Sequence, residues 1–112
     1  MAASEATTIR VHGGVATLVN VFTVEPENQQ ALVDLLVEAT GEVMRHLPGF
    51  VSANIHASDD GVRVVNYAQW ATPEDFRAML GDDRAKEHMA QAAALASHFD
   101  PHLYRVVSVH HR

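Results

Sequence analysis

Residues 50–70 read Phe-Val-Ser-Ala-Asn-Ile-His-Ala-Ser-Asp-Asp-Gly-Val-Arg-Val-Val-Asn-Tyr-Ala-Gln-Trp. Two runs rich in β-branched and aromatic residues, Phe50 to Ala57 and Val62 to Trp70, flank the turn-forming string Ser58-Asp59-Asp60-Gly61. Such a pattern specifies an antiparallel hairpin. Upstream, Leu32, Leu35, Leu36, Ala39, Val43 and Leu47 recur at helical spacing between Glu25-Pro26-Glu27 and Pro48-Gly49. A proline at the first helical position, early acids and a Pro-Gly stop predict an amphipathic helix of about five turns. Before it, Val15 to Val24 is a strand in which Val15, Val19 and Val21 share one face and Leu18, Phe22 and Val24 the other. Downstream, Thr72-Pro73-Glu74-Asp75 begins a short helix with Thr72 as N-cap. Gly81 interrupts it, and Asp82 caps a further helix from about Asp83 to His98 that Pro101 stops. His102 to His110 is a last strand, with Leu103, Val107 and Val109 alternating against polar residues. Strand, helix, strand, strand, helix, strand is the α+β ferredoxin-like plan, a split βαβ whose antiparallel sheet carries helices on one face.

A chain of 112 residues has room for one domain. Residues 1–12 are expected as a mobile arm and 13–112 as the single domain. The first residues lack the basic and apolar regions of a signal peptide, and no apolar stretch approaches the roughly 20 residues of a membrane span, so a cytoplasmic location is expected. Fourteen acids against eight lysines and arginines leave a net charge of −6. An acidic chain without a basic stripe gives no reason to expect nucleic acid or an anionic membrane as a partner. There is no cysteine, which removes disulfides, thiolate nucleophiles and cysteine-ligated metals.

The two-sided apolar strand has a consequence. Helices cover one face of the sheet, so the other would present a contiguous apolar patch, which soluble monomers avoid. A homodimer packed through the open sheet face resolves this and leaves a pocket between sheet and helices in each subunit. The competing arrangement covers that face with long side chains and the N-terminal arm.

Chemistry concentrates on the hairpin. Val62, Val64, Asn66, Ala68 and Trp70 share a face of the third strand. A three-residue loop with Gly61 in the left-handed region would set Asn54 opposite Asn66, His56 opposite Val64 and Phe50 opposite Trp70, gathering Asn54, His56, Asn66 and Trp70 on one apolar face. A two-residue turn would instead oppose Asn66 with Ala53 and turn His56 away. Polar groups among apolar ones cost roughly 1–3 kcal/mol each unless paired. They therefore belong either to a satisfied internal network around a core tryptophan or to a ligand pocket.

The strings Pro48-Gly49-Phe50, His56-Ala57-Ser58, Asp60-Gly61 and Val65-Asn66-Tyr67-Ala68-Gln69-Trp70 resemble the antibiotic biosynthesis monooxygenase family. They are most similar to its small cofactor-free oxygenases, which convert anthrones to quinones. The likeness runs from Val15 to Val109 in element order and is specific from Pro48 to Trp70. It implies a dimeric α/β barrel and oxygenation of an aromatic polyketide, a small aromatic substrate, by O2 through a substrate carbanion, with no metal, flavin or haem. It further implies Asn66 and Trp70 as the residues tied to activity, with His56 as a pocket histidine that exchanges the proton. In this setting Asn66 would stabilise the oxyanion and Trp70 hold the rings. Asn20, Phe22, Asn54, Phe76, Met79 and His88 are the expected substrate-binding positions. The chain departs from the family pattern at two places: Phe76 stands where relatives carry a tyrosine, and Ala90 where they carry an arginine.

Two alternatives share this architecture. One is a non-catalytic dimeric module that binds a small molecule. The other is a haem-degrading monooxygenase, to which Asn20 and His88 would correspond, although Met79 stands at that branch's tryptophan position. The remaining histidines form no ligand set: Pro101 separates His98 from His102, and His110 and His111 alternate at the terminus.

Overall fold

The computed structural model describes residues 5–112. Its elements run β1 (Ala16–Thr23), α1 (Gln29–Glu42), β2 (Phe50–Ala57), β3 (Arg63–Trp70), α2 (Pro73–Leu80), α3 (Asp83–Leu95) and β4 (His98–Tyr104). The four strands form one antiparallel sheet in the order β2-β3-β1-β4, the ferredoxin-like arrangement expected from the element order. The sheet is open and does not close into a barrel within the chain.

Local sequence chemistry accounts for the helix starts. The Thr72 hydroxyl accepts the Asp75 N–H at 3.0 Å and donates to the Asp75 carboxylate at 3.0 Å. The Asp82 carboxylate accepts the Ala85 N–H at 2.9 Å. Both groups satisfy donors that the first helical turn leaves without a backbone partner. The long helix is shorter than its apolar periodicity suggests. Pro26–Asn28 and Met44–His46 are 3-10 turns on either side of α1, and Val43 leaves the helical region with φ −123° and ψ −65°.

The end of the chain corrects two expectations. α3 stops at Leu95, with Ala96 already extended, and the last strand is His98–Tyr104 rather than 102–110. Pairing with β1 decides this: Thr23 lies opposite His98 and Thr17 opposite Tyr104. The Ser97 N–H and hydroxyl both donate to the Thr23 carbonyl, at 2.8 and 3.1 Å. Pro101 sits inside the strand rather than ending the helix, as an edge strand tolerates.

Even-numbered residues of β1 face the helices. Two apolar clusters lie on this inner face. One gathers Ala16, Val43, Trp70, Met79 and Ala85; the other gathers Phe22, Val24, Leu32, Val64 and Ala92. The odd-numbered face of β1 is open, and residues of the expected arm reach it. Gln69 donates to the Thr8 carbonyl at 2.9 Å, and the Thr7 hydroxyl donates to Asn54 at 2.7 Å. Residues 1–4 of that arm lie outside the described residues.

The hairpin turn was anticipated in part. Gly61 is left-handed at φ 83°, as its place in the loop requires. The loop, however, runs one residue longer, from Asp59 to Val62. The Ser58 N–H donates to the Arg63 carbonyl at 3.1 Å, and the Ser58 hydroxyl accepts the Arg63 N–H at 2.9 Å. The Asp60 carboxylate accepts from the Ser58 hydroxyl at 2.7 Å and from the Val62 N–H at 3.2 Å. Those bonds favour the carboxylate form and hold its pKa below the ordinary aspartate value.

Two predictions follow from these contacts. A carboxylate with a lowered folded pKa contributes stability above its unfolded pKa and loses it as pH falls through the folded one. The thermal midpoint of the parent should therefore fall more than that of Asp60→Asn as pH drops below about 4; parallel curves refute the turn's role. Gly49 has φ 81°, and a Cβ there would overlap the Asp75 side chain. Gly49→Ala should lower the urea midpoint by the equivalent of about 1–3 kcal/mol, with an unchanged denaturant slope.

Candidate functional site

Side chains of paired residues in an antiparallel sheet share a face, so register decides which groups meet. Between β1 and β3 the pairs are Ala16–Trp70, Leu18–Ala68, Asn20–Asn66 and Phe22–Val64. The inner face therefore carries two asparagines side by side, between the two apolar clusters. Their row continues to Ile55 on β2 and Pro101 on β4.

The polar atoms in this face are unevenly satisfied. The Asn20 amide oxygen accepts the Asp100 N–H at 3.2 Å. Asn66 Oδ1 and Trp70 Nε1 are buried, and each lacks a hydrogen-bond partner among the described residues. Trp70 is only 2% exposed; the Phe50 ring meets it edge-on, with centroids 5.4 Å apart. An unmet buried donor or acceptor costs roughly 1–3 kcal/mol. Asn66 Oδ1 and Trp70 Nε1 are thus one acceptor and one donor left unmet among the described residues. Four residues of strand separate their Cα atoms by about 13 Å.

Phe76 and Met79 join the cluster around Trp70, Phe76 half-buried and Met79 buried. Phe22 belongs to the other cluster and packs against Phe99, with centroids 6.4 Å apart. The helices leave the inner side of β4 partly bare: Phe99 and Leu103 are 47% and 38% exposed. A cleft of about 490 Å³ opens where Ala16 ends the sheet, bounded by Val15, Pro73, Leu103, Tyr104 and Arg105 among others. His88 lies on α3 between Ala85 and Ala92, the residues α3 gives to the two clusters. Its ring turns along the helix, with Nδ1 3.0 Å from the Arg84 carbonyl and Nε2 3.9 Å from Glu38. Ala90 is exposed.

Asn54 and His56 do not share this face, and the expectation that they join Asn66 and Trp70 is corrected. Beyond the irregularity between Phe50 and Ser52, Asn54 pairs with Tyr67, Ile55 with Asn66 and His56 with Val65. The cause is the longer hairpin loop: the Ser58–Arg63 closure moves the ladder by one position, and one position turns every side chain over. Phe50 nonetheless pairs with Trp70, because the irregularity restores the register there. Asn54 is a satisfied part of the open face, donating to the Tyr67 carbonyl at 2.9 Å and to Ser52 at 3.2 Å. His56 is exposed, with Nδ1 3.0 Å from the Asn54 carbonyl. The same network holds Gln69, which is 5% exposed and accepts from Ser52 at 2.7 Å. The sequence reading missed Gln69; its one signal was a glutamine between Ala68 and Trp70 in an apolar strand.

The family model for antibiotic biosynthesis monooxygenases matches residues 15–93. The chain belongs to this family. Over 72 residues it is 58% identical to the tetracenomycin-F1 monooxygenase of Streptomyces glaucescens, a stretch covering 64% of either chain. The match thus spans a little under two thirds of that relative's length. The fold superposes with a TM-score of 0.76 on the monooxygenase from the Streptomyces coelicolor gene ActVA-Orf6, crystallised with nanaomycin D. That pair is 30% identical over 88% of this chain and 92% of the other. SnoaB, a cofactor-independent oxygenase from Streptomyces nogalater, shares the fold with a TM-score of 0.72 at 23% identity, over 87% of this chain and 97% of its own. Within this antibiotic biosynthesis monooxygenase fold, Asn66 and Trp70 occupy the inner face that the helices roof.

The unpartnered oxygen of Asn66 gives a test that separates a binding role from a structural one. Replacing an unsatisfied buried amide by an apolar side chain of similar shape is nearly neutral or stabilising. Asn66→Leu should therefore hold or raise the urea midpoint. A loss of more than about 1 kcal/mol would mark Asn66 as a structural amide.

Proposed function

We propose that this chain is a monooxygenase that oxidises a fused phenolic polycycle of aromatic polyketide type with O2, the substrate itself supplying the electrons. The observation that carries the reading is the pair of buried, unpartnered atoms, Asn66 Oδ1 and Trp70 Nε1, on an otherwise apolar face. Relatives described as polyketide-pathway and cofactor-independent oxygenases support it.

The chemistry suits such a site. An anthrone-type carbon acid loses a proton to give a carbanion delocalised onto its carbonyl oxygen. That carbanion transfers one electron to O2, and the two radicals combine as a peroxide at the same carbon. Loss of water leaves a carbonyl there, with one oxygen atom in the quinone and the other in water. The protein stabilises charge where it develops and keeps solvent away. Trp70 Nε1 is the unmet donor and serves the enolate oxygen. Asn66 Oδ1 is the unmet acceptor and takes a hydrogen bond from a phenolic hydroxyl. Asn20, held by the Asp100 N–H, adds polarity beside Asn66. Phe22, Phe76 and Met79 form the apolar walls.

The assembly proposed for this activity is a homodimer through the open sheet face. Val19, Val21 and Val65 stand on that face, only partly buried in a single copy.

Oxygen uptake with dithranol as model anthrone, in chelator-treated buffer, tests the reaction. The parent protein should consume O2 above the buffer rate, and Asn66→Ala and Trp70→Phe should each lose about 10²-fold or more in kcat. No rate above buffer, or full rates in both variants, overturns the assignment. For the assembly, sedimentation at micromolar concentration should show a dimer that Val21→Asp converts to a monomer. A monomeric parent refutes it.

A further inference from the structure

One group of ligating side chains lies outside the site described above. Glu38 and Glu42 stand one turn apart at the C-terminal end of α1, and His88 faces them from α3. One ligand atom from each lies within 4.8 Å of the other two.

Ordinary helix electrostatics do not account for this grouping. Like charges one turn apart repel, and carboxylates at a helix C-terminus face the negative end of its dipole. α1 has no basic residue in its last turn. Among the described residues neither carboxylate is in salt-bridge range of a lysine or arginine.

The imidazole is oriented for a different role. His88 Nδ1 lies 3.0 Å from the Arg84 carbonyl, a bond that places the hydrogen on Nδ1 and leaves the Nε2 lone pair free. An N–H bonded to a backbone carbonyl is the usual outer contact of a metal-bound histidine. Nε2 is 3.9 Å from Glu38 Oε1, and the His88 side chain is 15% exposed. A charge-assisted hydrogen bond would close to about 2.7–2.9 Å. Two ligands that each sit about 2.0–2.2 Å from one zinc-sized ion stand some 3–4 Å apart, which the His88–Glu38 pair matches and the other two pairs approach within 4.8 Å.

We propose that Glu38, Glu42 and His88 bind a first-row divalent transition ion of the zinc type, which staples α1 to α3 across the roof of the inner face. One imidazole nitrogen with two carboxylates favours such an ion over magnesium or calcium. Water would complete the coordination. The staple is independent of the oxygenase reading, because it needs neither Asn66 nor Trp70.

The test uses the full chain stripped of metal, with His110→Ala and His111→Ala to remove the terminal histidine pair. Zinc chloride titrated calorimetrically should bind one ion per chain at low-micromolar or tighter affinity. Cobalt(II) should give a visible absorption band of a low-symmetry nitrogen–oxygen site. His88→Ala, and separately the exposed double variant Glu38→Gln with Glu42→Gln, should weaken binding about tenfold or more and abolish the cobalt band. Zinc should raise the thermal midpoint of the parent, with no rise in the variants and none with magnesium. Millimolar binding overturns the proposal, as does unchanged affinity in the glutamine variant. Either result leaves a simple His88–Glu38 ion pair.

Discussion

The pairing of β1 with β3 is the constraint on which the rest of the molecule depends. It places Asn20 beside Asn66, and Ala16 beside Trp70, on the side the helices cover. A slip of one residue would turn one strand's set, Leu18 with Phe22 or Val64 with Trp70, out of the core. Burial of those side chains, each stabilising by roughly 1.5–3 kcal/mol, holds the register. Asn66 is fixed as a consequence: the apolar neighbours at positions 64, 68 and 70 decide where its amide points. The polar group is placed by the packing around it, without a bond of its own from Oδ1.

On the proposed function, that arrangement trades stability for readiness to bind. The inner face is split into two apolar clusters rather than one, and the asparagine row lies where they would otherwise join. A leucine at either position would merge them. Keeping an unmet acceptor and an unmet donor in that setting costs free energy, which on the same reading a matching ligand returns. The open face solves the opposite problem. There Ser52, Asn54, Gln69 and the arm residues Thr7 and Thr8 satisfy one another, and Thr17 Oγ1, beside Gln69, is the buried atom left without a partner among the described residues.

Much of this was legible because it is local. Thr72 and Asp82 announce their helices by side-chain chemistry within three residues. The limits of β2 and the left-handed Gly61 follow from composition and turn residues. What the sequence left open is non-local or turns on a single hydroxyl. Ser58 accepting the Arg63 N–H lengthens the loop by one residue, and that residue sends Asn54 and His56 to the other face. The facing of Asn20 and Asn66 depends on a pairing between strands some forty residues apart in sequence, which no turn rule encodes. The expected helix ran to His98, yet β1 claimed the chain from Ser97 onward. Tertiary pairing overrode local propensity there.

The departures at Phe76 and Ala90 narrow the chemistry left to the protein. Phe76 packs against the Trp70 cluster as a hydrocarbon wall, and an exposed alanine at position 90 offers no charge. His56, the titratable group expected at the pocket, faces the other way. The sheet side of the inner face therefore holds amides, an indole and hydrocarbon, none of which takes up a proton near neutral pH, and His88 on the helix side turns its ring toward Glu38. On the proposed reaction, the proton must leave by way of the substrate's own phenolic oxygens or of water at the cleft beside Arg105. A face of this kind favours substrates acidic enough to ionise with hydrogen-bond help alone. On the proposed reaction, that requirement favours carbon acids whose anion is spread over several fused rings.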